Sequence, residues 1–264
     1  METEKVIVTG AGPAGLAAAG QLHLYGIAPA VYEFDEPGGL LLNAFFVVNY
    51  PGFPEGINGR NLAGLFTVPE RLINRKVTGI WRENGLYRVE TSGGVVSSQA
   101  VIVASGTVPR KIPGISGDRV HYGVKHLTSA YGRTAAIIGG GDAALDYAMS
   151  LSSDFTVNVY ARDNFSSAVP HLMAKVCELS SVTLHPGSLP KYDFSEDVIV
   201  VAAGRLPAID FLSGELLSSP PDDGSFHMCG DCRNGLFRQT AIAVGDGVKA
   251  AMKTADYLKR LDLV

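Results

Sequence analysis

A glycine-rich run near the N-terminus, "GAGPAG" at residues 10–15, has the spacing of a phosphate-binding turn. It directly follows a short β-branched strand and leads into a predicted helix from Ala14 to Tyr25. In such a turn Gly10 allows the tight bend, Gly12 lets the backbone approach a pyrophosphate, and Gly15 lets the helix pack on the strand. The free N–H groups and the dipole at the helix N-terminus then favour binding of the anion.

A carboxylate completes this first unit. The next predicted strand, Pro29 to Phe34, carries Glu33 near its end. An acid at that place accepts hydrogen bonds from the ribose of a dinucleotide. Strand, glycine turn, helix and acid together therefore predict a dinucleotide site, and a glycine turn that only serves packing is the alternative interpretation.

The same arrangement returns in the middle of the chain, where "GGGDAA" at residues 139–144 also joins a strand to a helix. The strand after that helix, Thr156 to Tyr160, ends without an acid, and Arg162 and Asp163 follow it. A nearby arginine can accept the 2′-phosphate of NADP, whereas Asp163 would repel it. The residues leave NADPH, NADH and an empty structural copy of a nucleotide domain open.

The elements that must hold these turns alternate between strand and helix, which favours an α/β fold with a parallel sheet. Between the two turns, residues 75–105 alternate in polarity, with turn residues at 83–85 and 92–94. This pattern predicts a small β-meander. The composition, 46% hydrophobic and 18% charged over 264 residues, is that of a globular protein with a buried core.

Charge and composition exclude several classes of partner. The net charge of −4 provides no basic patch, so we expect no nucleic acid partner. No apolar run reaches the roughly 18 residues of a membrane helix, so we expect no membrane partner. The three cysteines and scattered histidines do not have the spacing of a metal site. The first strand begins almost at once, which leaves no room for a signal segment and predicts a cytoplasmic location.

Both glycine turns, together with the stretches between and after them, resemble the thioredoxin reductase-like flavoproteins. The resemblance covers essentially the whole chain in the order of that family. The further stretches that carry it are "GGLLLNAFFVVNYPGFPEGINGRNL" at 38–62, "VIVASGTVPRKIPGI" at 101–115, "DVIVVAAGRLPAIDFL" at 197–212 and "MCGDCRNGLFRQTAIAVGDGVKAAMKTADYL" at 228–258.

This resemblance implies two Rossmann-like nucleotide-binding domains of the three-layer ββα type, the second inserted in the first. The FAD-binding domain would comprise residues 1–115 and 213–264, and a shortened NAD(P)-binding domain residues 116–212. FAD would be the cofactor and NADPH or NADH the donor of a hydride to the flavin. A homodimer, and a rotation of one domain against the other about two short linkers, are also implied.

The resemblance further assigns cofactor-binding residues. Glu33 would hold the adenosine ribose of FAD, Val77 would lie near the adenine, and Asn49 near the isoalloxazine. Asp231 would bond the ribityl chain, and Gln239 would meet the flavin edge. For Asn49 and Gln239, a position on the surface without such a role is the alternative. The expected FAD set is Gly10, Gly12, Pro13, Ala14, Gly15, Glu33, Gly39, Leu40, Asn49, Val77, Ala104, Ser105, Gly106, Gly230, Asp231, Gln239 and Thr240. The expected set around the second turn and the strand that leaves it is Gly139, Gly141, Asp142, Ala143, Arg162 and Gly204.

The chain departs from thioredoxin reductases at the redox dithiol. In that family a Cys-x-x-Cys pair precedes the second glycine turn, but residues 120–134 contain no cysteine. This stretch begins "VHYGVKH" and resembles the thioredoxin reductase-like branch of ferredoxin–NADP reductases, which has no such dithiol. His121 and Tyr122 stand at the vacated place. They are candidates to meet the flavin face or the nicotinamide, and packing in a hinge or core is the alternative.

Three functions remain in competition. The first is an FAD enzyme that takes a hydride from NAD(P)H and reduces ferredoxin, another small redox protein, a quinone or O₂ without a dithiol. The second is a disulfide reductase that uses Cys229 and Cys232, although two small buried side chains flanking Gly230-Asp231 are the simpler interpretation. The third is a non-enzymatic flavin-binding sensor or subunit whose second nucleotide site has decayed.

Overall fold

The computed structural model describes residues 3–188 and 193–263. The elements of the first part, in chain order, are β1 (Glu4–Thr9), α1 (Pro13–Leu24), β2 (Ala30–Glu33), α2 (Gly59–Ala63), β3 (Leu72–Asn74), β4 (Val77–Glu83), β5 (Leu86–Thr91), β6 (Gly94–Val103) and β7 (Thr107–Pro109). They are followed by β8 (Val120–His121), β9 (Thr134–Ile138), α3 (Asp142–Leu151), β10 (Thr156–Tyr160), α4 (Pro170–Cys177), β11 (Val182–His185), β12 (Val198–Val201), β13 (Arg205–Pro207), α5 (Gly214–Ser218), β14 (Phe226–Met228) and α6 (Thr240–Arg260). Short 3₁₀ turns lie at Gly39–Asn43, Ser129–Tyr131 and Gly230–Cys232.

The first sheet has the strand order β3-β2-β1-β6-β5-β4, and β14 also pairs with β6. β1 runs parallel to β2 and β6, while β4, β5 and β6 form an antiparallel meander. The meander predicted from the alternating pattern is therefore confirmed. Val6, Ile7 and Val8 are fully buried because β1 is covered on both faces, as expected for a central parallel strand.

Helices α1 and α6 cover one face of this sheet and pack tightly on each other. Small residues allow the close approach: a Cβ added at Gly247 of α6 would come closer than 3.0 Å to the backbone carbonyl of Ala14 in α1. Ala251 and Leu258 of α6 are buried in the same core cluster as Leu22 of α1. The packing fixes the start of α1, and with it the glycine turn that precedes the helix.

The second sheet is parallel and has the strand order β11-β10-β9-β12-β8. Helices α3 and α4 cover one face and bury Leu145 and Val176. Phe194 and Ile115 cover the other face. There the Tyr160 hydroxyl donates to the buried Glu196 carboxylate at 2.9 Å, and burial together with this bond raises the pKa of Tyr160 to about 12.

A short antiparallel ribbon of β7 and β13 joins the two sheets. The Ser105 hydroxyl secures one end by donating to the Ala208 carbonyl at 2.6 Å. Leu212 forms an isolated parallel β-bridge with Ile80 of β4, so the chain contacts the first sheet again at this residue. The expected α/β fold with two Rossmann-like units is confirmed, while the exact domain limits stay a prediction. Within the described ranges no helix has the length and apolar character needed to cross a membrane.

Candidate functional site

The first glycine turn is packed tightly at Gly10 and Gly15 and less tightly at Gly12. Gly10 has a φ of +96°, and a Cβ there would come closer than 3.0 Å to the Ala104 carbonyl. A Cβ at Gly15 would clash with the Gly10 carbonyl. At Gly12 the added atom would meet, among the described residues, only the Gly39 Cα at 3.9 Å. Gly12 and Gly39 therefore bring bare backbone together beside the turn, which suits the approach of a pyrophosphate.

The start of α1 is prepared for an anion. Pro13 occupies the first turn of the helix, and no side chain of the described residues caps its N-terminus. The first N–H groups of the helix are thus left for a bound anion. Glu33 lies beside this turn, where its Oε2 accepts the Ala11 N–H at 2.9 Å. Its Oε1 accepts the N–H groups of the two residues that follow it, Phe34 and Asp35, so the carboxylate is held at the edge of the turn.

The structure brings Asn49 and Gln239 into contact. The Asn49 Nδ2 donates to the Gln239 Oε1 at 2.5 Å. Gln239 is the N-cap residue of α6, whose first residue is Thr240. Two residues that the resemblance places at the isoalloxazine are therefore neighbours in space.

The Gly230-Asp231 turn lies next to the same end of α6. Gly230 has a φ of +71°, and its N–H donates to the Asp246 carboxylate at 3.2 Å. Burial raises the pKa of Asp231, and the nearby Arg238 and Arg205 guanidinium groups oppose that rise. Asp231 is half-buried, and a carboxylate of this kind is suited to accept hydrogen bonds from ligand hydroxyls.

Two arginines at this place were not predicted as site residues. Arg205 donates through Nε to the Thr107 hydroxyl at 2.8 Å and through Nη2 to the Thr107 carbonyl at 2.7 Å, and burial lowers its pKa. Arg238 donates through Nη1 to the Arg205 carbonyl at 3.1 Å, while its buried Nε has no partner in the described part of the chain. Arg205 follows Gly204 in the quoted "GRLP" stretch, which was the available signal.

These features fit the expected FAD. Gly12 presents no side chain to a pyrophosphate at the first turn, and the Asp231 carboxylate lies near the guanidinium of Arg238, the residue before Gln239. The role of the other expected FAD residues stays a prediction: Leu40 lies in the 3₁₀ turn, Val77 at the start of β4, Ala104 and Ser105 after β6, and Gly106 has a φ of +64°.

The second glycine turn repeats the geometry of the first. A Cβ at Gly139 would come closer than 3.0 Å to the Ala202 carbonyl, as a Cβ at Gly10 would to the Ala104 carbonyl. Gly141 is the N-cap residue of α3, and Asp142 is its first residue. The Asp142 carboxylate is not free, because its Oδ1 accepts the Val169 N–H at 2.8 Å. Ala143 follows in the exposed first turn.

Strand register shows which residue replaces the ribose acid in the second unit. Thr9 of β1 pairs with Tyr32, the residue before Glu33. In the second sheet Ile138 of β9 pairs with Tyr160, the residue before Ala161. Ala161 therefore occupies the position that Glu33 has in the first unit.

Around Ala161 the charges are arranged differently from the first unit. Arg162 is exposed beside it. The Asp163 carboxylate turns back into its own loop, accepting the Phe165 N–H at 2.9 Å and the Ser166 hydroxyl at 3.0 Å. The carboxylate nevertheless stays beside the second glycine turn, because a Cβ added at Gly140 would come within 3.3 Å of the Asp163 Oδ1.

His121 and Tyr122 lie at the edge of the second sheet. His121 meets Tyr131 edge to face at 5.7 Å, and burial lowers its pKa. Its Nε2 is buried without a hydrogen-bond partner among the described residues. Tyr122 packs on the cluster that contains Ile115 and Phe194. Gly204 lies at the ribbon, with a φ of +97° and its carbonyl accepting the Arg110 N–H at 3.0 Å.

The cysteines do not form an accessible dithiol. Cys229 and Cys232 are 1% and 2% exposed, and the Cys232 thiol donates to the Cys229 carbonyl at 3.2 Å. Burial raises the pKa of both thiols. Cys177 is exposed but stands alone on α4. Nor do the described residues contain a group of three or more His, Cys, Asp or Glu that could hold a metal ion.

Comparison with known proteins agrees with this geometry. The sequence pattern of the family described as pyridine nucleotide-disulphide oxidoreductase matches residues 4–247. A thioredoxin reductase of Borreliella burgdorferi is 28% identical, over 97% of this chain and 92% of its own. A ferredoxin–NADP reductase of Ignicoccus hospitalis is 31% identical, over 72% of this chain and 67% of its own. The crystal structure of Lactococcus lactis thioredoxin reductase shares the fold with a TM-score of 0.84 at 23% identity, covering 98% of this chain and 100% of that one. The chain belongs to the pyridine nucleotide-disulphide oxidoreductase family and is an NAD(P)H-dependent flavoprotein oxidoreductase.

Proposed function

We propose that the chain transfers electrons from NADPH through FAD directly to a small redox protein, without a dithiol of its own. FAD, when bound, accepts two electrons and one proton from NADPH and delivers the electrons to the acceptor. In this proposal the Gly10–Gly15 turn and Glu33 hold the adenosine diphosphate part of FAD. Asp231 binds the ribityl chain, and the Asn49–Gln239 pair orients the ring.

The choice of NADPH over NADH is supported by the register equivalence of Ala161 and Glu33. A carboxylate at this position would repel a 2′-phosphate, and the methyl group of Ala161 carries no charge that would do so. Arg162 supplies an exposed positive charge next to that space. The remaining dinucleotide contacts would come from Gly139, Gly141 and the N-terminus of α3.

Transfer without a protein dithiol is supported by the burial of Cys229 and Cys232, which is the observation that carries this proposal. A relay dithiol must form a thiolate and reach its acceptor. Both side chains are instead enclosed, with raised thiol pKa values. The printed names of the relatives, thioredoxin reductase and ferredoxin–NADP reductase, support a small redox protein as the acceptor.

The deciding experiment is an anaerobic titration of the purified, FAD-loaded protein with NADPH and, separately, NADH. We expect stoichiometric NADPH to bleach the visible absorption of the flavin, with NADH less effective. A flavin that neither nucleotide bleaches would reject the proposal and favour the sensor or subunit hypothesis. Adding a ferredoxin or a thioredoxin to the reduced protein then identifies the class of acceptor by the rate at which the absorption returns.

Disulfide reduction through Cys229 and Cys232 is the second candidate, because relatives along most of the chain are named thioredoxin reductases. The Cys229→Ser/Cys232→Ser double variant separates the two candidates. Loss of thioredoxin reduction with FAD still bound and still bleached by NADPH would support the dithiol. An unchanged rate would exclude it.

A further inference from the structure

The two sheets are joined by a reciprocal pair of side-chain caps. On one side, the Asp146 carboxylate of α3 accepts the N–H of Phe45 at 2.8 Å and that of Phe46 at 3.2 Å. On the other, the Asn43 Oδ1 accepts the N–H of Val124 at 2.8 Å and that of Lys125 at 3.1 Å. These four hydrogen bonds form what we call the clasp. Each partner contributes one acceptor side chain and two backbone donors.

The clasp is specific because its members have little freedom to bond elsewhere. Asp146 is half-buried, and burial raises the pKa of its carboxyl group while the N–H groups of Phe45 and Phe46 oppose that rise. No ion pair to Asp146 exists within residues 3–188 and 193–263. A half-buried carboxylate without a cation depends on hydrogen bonds, here those from the backbone N–H groups of Phe45 and Phe46. Opening the clasp would leave these groups to find water or remain unpaired.

The Asn43 side requires equally close contact. A Cβ added at Gly123 would clash with the Asn43 side chain, so the backbone preceding Val124 can approach only as glycine. Two further contacts lie beside the clasp: the Lys125 Nζ lies 2.6 Å from the Asp35 carboxylate, and the Lys175 Nζ lies 4.7 Å from the centre of the Phe46 ring. These contacts add to the backbone caps at the joint.

The position of the clasp connects it to the two nucleotide sites. Asp146 lies about one helical turn after Asp142, the first residue of the helix that begins at the second glycine turn. Asn43 ends the 3₁₀ turn that begins at Gly39, and Gly39 faces Gly12 in the first glycine turn. The clasp is thus connected to the first glycine turn through the 3₁₀ turn and to the second through the first turn of α3.

We propose that Asp146 and Asn43 are positioning residues that dock the second nucleotide site on the FAD site for hydride transfer. This inference rests on the proposed function, because it assigns NADPH and FAD to those sites. Hydride transfer requires the donor and acceptor atoms to approach within about 3–3.5 Å. A joint that fixes the two sites relative to each other therefore affects the rate of transfer more than the affinity for either nucleotide.

The test uses the FAD-loaded protein and the variants Asp146→Asn and Asn43→Ala, with Asp154→Asn as a matched control. Asp154 is exposed just after α3, outside the clasp and both nucleotide sites. Stopped-flow bleaching at saturating NADPH should slow by about tenfold or more in both clasp variants, the size of effect expected from small displacements of reacting groups. FAD content, the Kd of NADPH and the rate of reoxidation by ferricyanide should match those of the wild type and the control.

Amide hydrogen exchange provides a readout that does not depend on activity. The Phe45–Phe46 amides should exchange faster in Asp146→Asn, and the Val124–Lys125 amides faster in Asn43→Ala, each by about tenfold or more. Unchanged exchange at these amides would overturn the clasp. Unchanged bleaching, or a raised Kd with an unchanged maximal rate, would overturn the positioning role. Failure of NADPH to bleach the wild type would reject the proposed function instead, and the exchange data would still decide whether the clasp exists.

Discussion

Asn49 and Gln239 are 190 positions apart in the chain, yet the Asn49 Nδ2 lies 2.5 Å from the Gln239 Oε1. The hydrogen bond joins the loop that follows the Gly39–Asn43 turn to the N-terminus of α6. Both side chains lie in exposed surroundings, where a single neutral hydrogen bond adds little to the stability of the free protein. Its value is therefore expected in orienting a bound flavin.

We predict that Gln239→Leu weakens FAD binding by about tenfold, because it removes a hydrogen bond at the ring and leaves Asn49 unpaired. Gln239→Glu retains an acceptor for Asn49 and should weaken binding less. Fluorescence titration of the apoprotein with FAD measures both dissociation constants. Equal affinities for the wild type and the Leu variant would contradict the placement of this pair at the flavin.

Local patterns in the sequence predicted the elements around the glycine turns closely. The predicted helix at Ala14–Tyr25 is observed one residue earlier, as Pro13–Leu24, because proline is favoured in the first helical turn. The strand at Thr156–Tyr160 is observed with the predicted bounds. Here a β-branched run, a glycine turn and a helix follow one another, so short-range chemistry determines the structure.

Contacts between distant parts of the chain were not predictable in this way. Arg205 reaches Thr107 only because β13 pairs antiparallel with β7, and Asp146 caps Phe45 only because α3 docks on the loop of the other sheet. Neither arginine nor aspartate carries a local pattern that identifies its partner. For His121 and Tyr122, packing was one of the two predicted roles, but the sequence could not name Tyr131, Ile115 or Phe194 as their partners.

The Ala161→Glu variant should change the choice of donor. The register equivalence places the new carboxylate where Glu33 stands in the first unit. It would repel the 2′-phosphate of NADPH and accept hydrogen bonds from the ribose of NADH, so we expect the ratio of the two Kd values to shift toward NADH by about tenfold. Arg162→Ala should weaken NADPH binding and leave NADH binding unchanged. Titrations of both variants with both nucleotides provide the test, and ratios equal to that of the wild type would reject NADPH as the preferred donor.

Two glycines of α6 should have opposite effects on stability when replaced by alanine. At Gly247 the added Cβ would collide with the Ala14 carbonyl, and separating α1 from α6 should cost about 1–3 kcal/mol. At Gly245 no atom of the described residues lies within 4 Å, so alanine should stabilise the helix by about 0.5–1 kcal/mol. Urea unfolding of the two variants measures this difference. A Gly247→Ala protein as stable as the wild type would show that the α1–α6 contact is looser than the structure has it.

Thiol labelling should distinguish Cys177 from the buried pair. Thiolate is the reactive form, so a raised pKa lowers the reactive fraction at any pH below that pKa. At about pH 8, exposed Cys177 should react with iodoacetamide while Cys229 and Cys232 remain unlabelled. Labelling of the pair should wait for unfolding in urea, because enclosure as well as a raised pKa protects both thiols. Peptide mass spectrometry identifies the labelled residues. Rapid labelling of Cys229 or Cys232 in the folded protein would show that the pair reaches solvent. It would favour disulfide reduction through these cysteines over transfer without a dithiol.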